Sequence, residues 1–189
     1  MQFIYQHRQS GSTLIEIMVA IVVMAIGLLG LAGLQLSALK FEKSSSQRSE
    51  ATLAAVDLSE RIRSNFAAVQ SVVPGIVPPA YTFNTDYATS SAAAHVPPND
   101  CTVAIGCTPA NVAANDLQEW LRNIQRRLIG GSGYVVPLPL LPAAGGTAAL
   151  TFDVTIMWQE QGMAAVDPSC PAAVAAPVGV RCFVYRSTP

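Results

Sequence analysis

The side chains of this 189-residue chain best suited to covalent or metal chemistry are four cysteines, Cys101, Cys107, Cys170 and Cys182, and two histidines, His7 and His95. Four cysteines allow three disulfide pairings. The local pairs, Cys101 with Cys107 and Cys170 with Cys182, are favoured because each would pin a loop with few apolar residues of its own; a crossed pairing is the open alternative. Zinc is disfavoured, since neither pair has close ligand spacing and His95 is the one imidazole near them. His95 sits between an alanine run and Pro97-Pro98 with no glycine-framed serine or phosphate loop beside it. It reads as a solvent-exposed loop histidine rather than a catalytic base. Asp153, Glu160 and Asp167 are too scattered in sequence to propose a carboxylate centre. No catalytic, metal or cofactor site is expected.

One carboxylate stands apart. Glu16 follows the junction Gly11-Ser12-Thr13-Leu14-Ile15, and from Ile17 to Leu39 there is no charged residue. A helix of that length reaches about 34 Å, enough for a bilayer core of roughly 30 Å. The residues before it, Met1 to Gly11, carry Arg8 and His7 and no acid. The positive-inside bias therefore keeps that leader cytoplasmic and sends the rest outward, where cysteines oxidise. A secretory signal would need a cleavage site among Ala32, Gly33, Ser37 and Ala38. Glu16 argues against that, because a carboxylate in a membrane segment costs about 2.5 to 3.5 kcal/mol and marks function or a partner.

The remaining elements form a head. Ala51, Ala55, Leu58, Ile62, Phe66 and Val69 recur at threes and fours with charges between them, so an amphipathic helix continues past Lys40 until Pro74-Gly75 and Pro78-Pro79 end it. Pro74 to Ala114 reads as a loop-rich connection with little regular structure. A second helix is expected with Asn115 as N-cap, Gln118 three residues later, and Leu117, Trp120, Leu121, Ile124 and Leu128 on its stripe, stopping at Gly130-Gly131. From Leu150 to Trp158 apolar and polar residues alternate as in a half-buried strand; Val180 to Tyr185 and Tyr134 to Leu138 offer partners, the latter at an edge or strand end because of Pro137. The fold class is α+β: a long N-terminal helix against an antiparallel sheet. Net charge is -1, and Arg122, Arg126 and Arg127 form only a small cluster at a helix end, so direct nucleic-acid binding is unsupported.

Gly11-Ser12-Thr13-Leu14-Ile15-Glu16 followed by an apolar helix resembles the class III signal of type IV pilins and type II secretion pseudopilins. The run Val19 to Gln35, and more moderately Asn115 to Trp158, resembles the PilV group of minor pilins. The resemblance implies a type IV pilin-like fold with four parts: a leader 1–11 that prepilin peptidase removes, a transmembrane and filament-core helix 12–39, its amphipathic continuation 40–72, and a periplasmic head 73–189. It implies cleavage between Gly11 and Ser12 and methylation of the new Ser12 amine, although family members usually carry phenylalanine there. It implies as partners the inner membrane lipid, the assembly platform, other minor pilins, the major pilin and a tip adhesin.

Cleavage would leave the Ser12 amine as a cation at the helix end. A neighbouring subunit's Glu16, at similar depth, would neutralise it and fix assembly register; snorkelling of Glu16 to headgroups is the plainer alternative. Gly27, Gly30 and Gly33 would either allow close helix contact in lipid or, by the resemblance, let the helix unwind on leaving the membrane. A pseudopilin, a major filament subunit and a membrane-anchored enzyme are the rival expectations.

Overall fold

The computed structural model describes residues 13–70, 80–101, 106–138 and 151–188. The chain divides into two compact units, Met1–Lys43 and Ser44–Pro189.

The first unit is helical from its first described turn. Helix α1 spans Leu14–Ser64, and the carbonyl of Thr13 opens it by accepting from the amides of Glu16 at 3.0 Å and Ile17 at 3.4 Å. Glu16 lies in that first turn, where a carboxylate offsets the positive end of the helix dipole. The helix runs unbroken through Gly27, Gly30 and Gly33, and a Cβ built at any of them meets nothing within 4 Å. No packing inside the chain therefore demands glycine at these positions.

The second unit packs the rest of α1 against a sheet. Strands β1 (Ser132–Leu138), β2 (Thr151–Gln159) and β3 (Val180–Ser187) are antiparallel in the order β1-β2-β3. Pro137 thus lies on an edge strand, where its missing N–H costs no central ladder bond. Ala51, Ala55, Leu58 and Ile62 of α1 are completely buried with Trp120, Leu121, Phe152, Val154 and Ile156, making one helix-on-sheet core. The small alanines let α1 approach closely. The architecture is α+β and pilin-like: a long apolar helix, a three-stranded antiparallel sheet and short helices.

Four local expectations need correction. Helix α1 stops at Ser64, before the proline cluster, and after Asn65 a short helix α2 (Phe66–Gln70) begins. At the break, the side-chain amide of Asn65 donates to the phenol oxygen of Tyr81 and the carbonyl of Pro109. The break turns Phe66 off the buried stripe and leaves it 44% exposed. The prolines at 74, 78 and 79 and Gly75 lie outside the described residues.

The supposed loop region contains helix α3 (Tyr87–Ala92), capped by Asp86, and the start of helix α4 (Pro109–Arg127). The cap of α4 is Thr108, whose hydroxyl accepts from the amide of Asn111, with Pro109 in the first turn. Asn115 instead sits mid-helix and bridges to Asn99, accepting from its backbone N–H at 2.9 Å and donating to its carbonyl at 2.8 Å.

Strand β2 is buried on both faces rather than one, since Thr155 and Met157 are covered as fully as Val154 and Ile156. Tyr87, Tyr134, Val174, Val180 and Cys182 gather with Met157 into a second core on the outer face. Leu150 lies outside the described residues.

His95 is buried, not exposed. Its Nε2 faces the carbonyl of Ser90 at 3.1 Å and its Nδ1 faces Oε1 of Gln118 at 3.0 Å, with the ring edge-on to Phe83. The ring thus serves as a cross-link between Ser90 of α3 and Gln118 of α4.

Candidate assembly site

The candidate site begins with what α1 exposes. Large apolar side chains from Leu14 to Leu39 are exposed throughout, including Leu14 at 77% and Leu29 at 73%. This segment is long and apolar enough to cross a membrane, and none of its most apolar window is buried. In water such a surface would be strongly unfavourable; lipid or neighbouring apolar helices would satisfy it. Glu16 is the one charged residue in the described part before Lys40. Gly11 and Ser12 lie outside the described residues.

The family profile described as the prokaryotic N-terminal methylation motif matches residues 6–32. That span takes in the Gly11-Ser12 junction, Glu16 and the uncharged run as far as residue 32. The match marks the chain as prepilin-like. No curated protein and no solved structure matches it. A prepilin-like N-terminus accounts for two features together: an uncharged helix of membrane-spanning length, and a single carboxylate kept near its start.

In the head of this prepilin-like chain, Cys101 bonds Cys107 and Cys170 bonds Cys182, with Cα separations of 5.2 and 5.1 Å. The second bridge ties β3 to the loop that covers the outer core. Among the described residues no group of histidines, cysteines and carboxylates could hold a metal ion.

Two carboxylates that looked scattered in sequence converge on one cation. Arg181 pairs through Nε with Glu160, and its Nη1 lies 3.9 Å from Asp167; Asp153 pairs instead with Arg186. Burial alone would raise the pKa of Glu160, but hydrogen bonds from Ser44 and Arg181 and the charge of Arg181 outweigh it and hold the carboxyl below its ordinary value. For Asp167 the same opposition is won by the backbone amides of Ser169 and Cys182, at 2.9 and 3.1 Å, which also leave it depressed. Both carboxylates are thus saturated with internal donors. Such a cluster holds a loop in place and offers no spare base for catalysis.

A second polar node, at the far end of α1, was not singled out from sequence. Arg61 contacts Asp57, Asp116 and Glu119, and the phenol of Tyr81 donates to Asp116 at 2.6 Å. Burial, reinforced by that bond to Asp116, pushes the Tyr81 phenol far above its usual range. Burial lowers the pKa of Arg61, but its carboxylate partners more than compensate and raise it. The one sequence signal was the charge alternation on α1, which by itself describes an ordinary solvated face.

Proposed function

We propose that this chain is a minor type IV pilin of the PilV kind. The observation that carries the reading is the N-terminal methylation motif over residues 6–32, joined to a helix that is exposed and uncharged from Ile17 to Leu39. In this reading prepilin peptidase cuts after Gly11 and the amine of Ser12 is methylated. Residues 12–39 hold the protein in the inner membrane, N-in and C-out, and later enter the filament core. The head joins other minor pilins on the assembly platform, primes assembly with the major pilin, and ends at or near the filament tip beside an adhesin. The role is structural, not enzymatic.

Glu16 supplies the register. A carboxylate and an amine are each costly in an apolar bundle and much cheaper side by side. A stagger of about one helical turn between neighbours would bring one subunit's Ser12 amine to the next subunit's Glu16.

The test is N-terminal mass spectrometry on protein from membranes and from sheared pili. N-methylated Ser12 in both fractions is the expected result. A processed form confined to membranes would turn the assignment to a pseudopilin, which uses the same signal. An intact Met1 or a cut beyond the apolar run would overturn the prepilin reading.

A further inference from the structure

In the head, α1 and α4 run antiparallel, because Glu50 of α1 pairs with Arg127 at the end of α4 while Arg61 pairs with Asp116 and Glu119 nearer its start. Between the two ion-paired ends lies a groove of about 390 Å³. Leu53, Ala54, Trp120, Ile124 and Leu128 give it an apolar floor. Its volume falls at the lower end of the range for clefts that enclose a compact ligand group. Leu53 is 56% exposed, and Val56 one turn on is 42% exposed, on a helix face that would otherwise carry polar residues.

The charges around the groove are uneven. At one end Glu50 and Arg127 cancel. At the other, the single cation Arg61 stands among Asp57, Asp116 and Glu119, which leaves a negative surplus. Asp116 is already engaged on both oxygens, by Arg61 and by Tyr81. Asp57, which lines the groove, is held through both oxygens by Arg61, and Glu119, just beyond the lining, through one; their side chains are 45% and 46% exposed against 18% for Asp116, so these two present the surplus to solvent. An apolar floor with an acidic end selects a ligand that is apolar with a cation beside it.

We propose that the α1/α4 groove docks a segment of another protein that presents one bulky apolar side chain with a lysine or arginine about one helical turn away. The apolar side chain rests on Leu53 and over Ile124, and the cation meets Asp57 and Glu119. This goes beyond the pilin reading and does not depend on it.

The test uses the full-length chain in detergent micelles and two fluorescently labelled synthetic helical peptides, each about 16 residues long so that it is substantially helical. They are identical, with two leucines on one face, except that lysines stand one turn beyond the leucines in one and glutamates in the other. Fluorescence anisotropy should show the lysine peptide binding about ten-fold or more tighter than its partner. Leu53→Ala should weaken it by about ten-fold, as for a central apolar anchor. The double variant Asp57→Asn with Glu119→Gln should erase both the lysine preference and its salt dependence. Leu53 is exposed, so its variant should keep the parent melting temperature, which circular dichroism checks. Absence of binding, equal binding of the two peptides, or binding unchanged by Leu53→Ala overturns the proposal. Self-association of the chain that Leu53→Ala abolishes would assign the groove to a second copy and overturn it as well.

Discussion

The indole Nε1 of Trp120 donates to the backbone carbonyl of Ala54 at 2.7 Å, so the largest fully buried side chain of α4 is fastened to the middle of α1's head segment. The bond fixes which way the ring lies and so where the strands can approach it. Trp120→Phe keeps most of the apolar ring but deletes the donor, and should cost about 1–3 kcal/mol. Trp120→Ala also leaves a cavity and should cost about 3–5 kcal/mol. Thermal or denaturant unfolding of the two variants measures the difference; a Trp120→Phe variant as stable as the parent would mean that the hydrogen bond contributes nothing.

The same ring leaves no room at Gly133. A Cβ there would overlap the six-membered ring of Trp120, lying 2.6 Å from Cη2, and come within 2.9 Å of Leu121. Gly133→Ala should therefore destabilise the head by about 1–3 kcal/mol through overpacking. In contrast, Gly27→Ala, Gly30→Ala and Gly33→Ala have open space and should leave head unfolding unchanged. Melting curves on the four variants would separate these outcomes.

Acid should loosen the loop between β2 and β3. Glu160 and Asp167 both have folded pKa values below their ordinary ones, so the folded state binds fewer protons than the unfolded chain. Their contribution is complete above the ordinary carboxylate range, about pH 4, and is lost as pH falls through the depressed folded values. Melting temperature should hold from pH 7 to about 5 and fall below about 4. Asp167→Asn should flatten part of that fall, and an unchanged profile would remove Asp167 from the account.

Replacing Cys170 and Cys182 together by alanine removes a bridge spanning 12 residues. The loop it closes carries Val174 into the outer core. The expected loss is about 2–4 kcal/mol, with hydrogen exchange in 160–179 rising more than in α4. Uniform exchange across the head would mean that the bridge acts globally.

Glu16→Ala should reduce recovery of the subunit in sheared pili while leaving its level in membranes unchanged, read by immunoblot of both fractions. Glu16→Gln should behave the same way if charge pairing, rather than size, is what neighbours require. Normal recovery of Glu16→Ala in pili would remove the register role.

Some features were local enough to be written in the sequence. The long apolar helix is one: an uncharged run from Ile17 to Leu39 is too apolar for water, and Glu16, the carboxylate near its start, stands out against that background. The strands and the Trp120 stripe follow from periods of 2 and 3.6, which any half-buried strand or helix must obey. The start of α4 was not among them: Asn115 with Gln118 imitates a capping box, but Thr108 caps the helix seven residues earlier with Pro109 in its first turn. What only the tertiary structure decided depends on partners distant in the chain. Asn65, just past the end of α1, takes Tyr81 and Pro109 as partners for its side-chain amide, and Met157 is covered because Val174 of the disulfide-closed loop gathers over it with Tyr87, Tyr134, Val180 and Cys182. His95 is buried because Gln118 and Ser90 converge on it. The uneven charge of the α1/α4 groove arises only when residues 57, 61, 116 and 119 are brought together, a coincidence that no local period encodes.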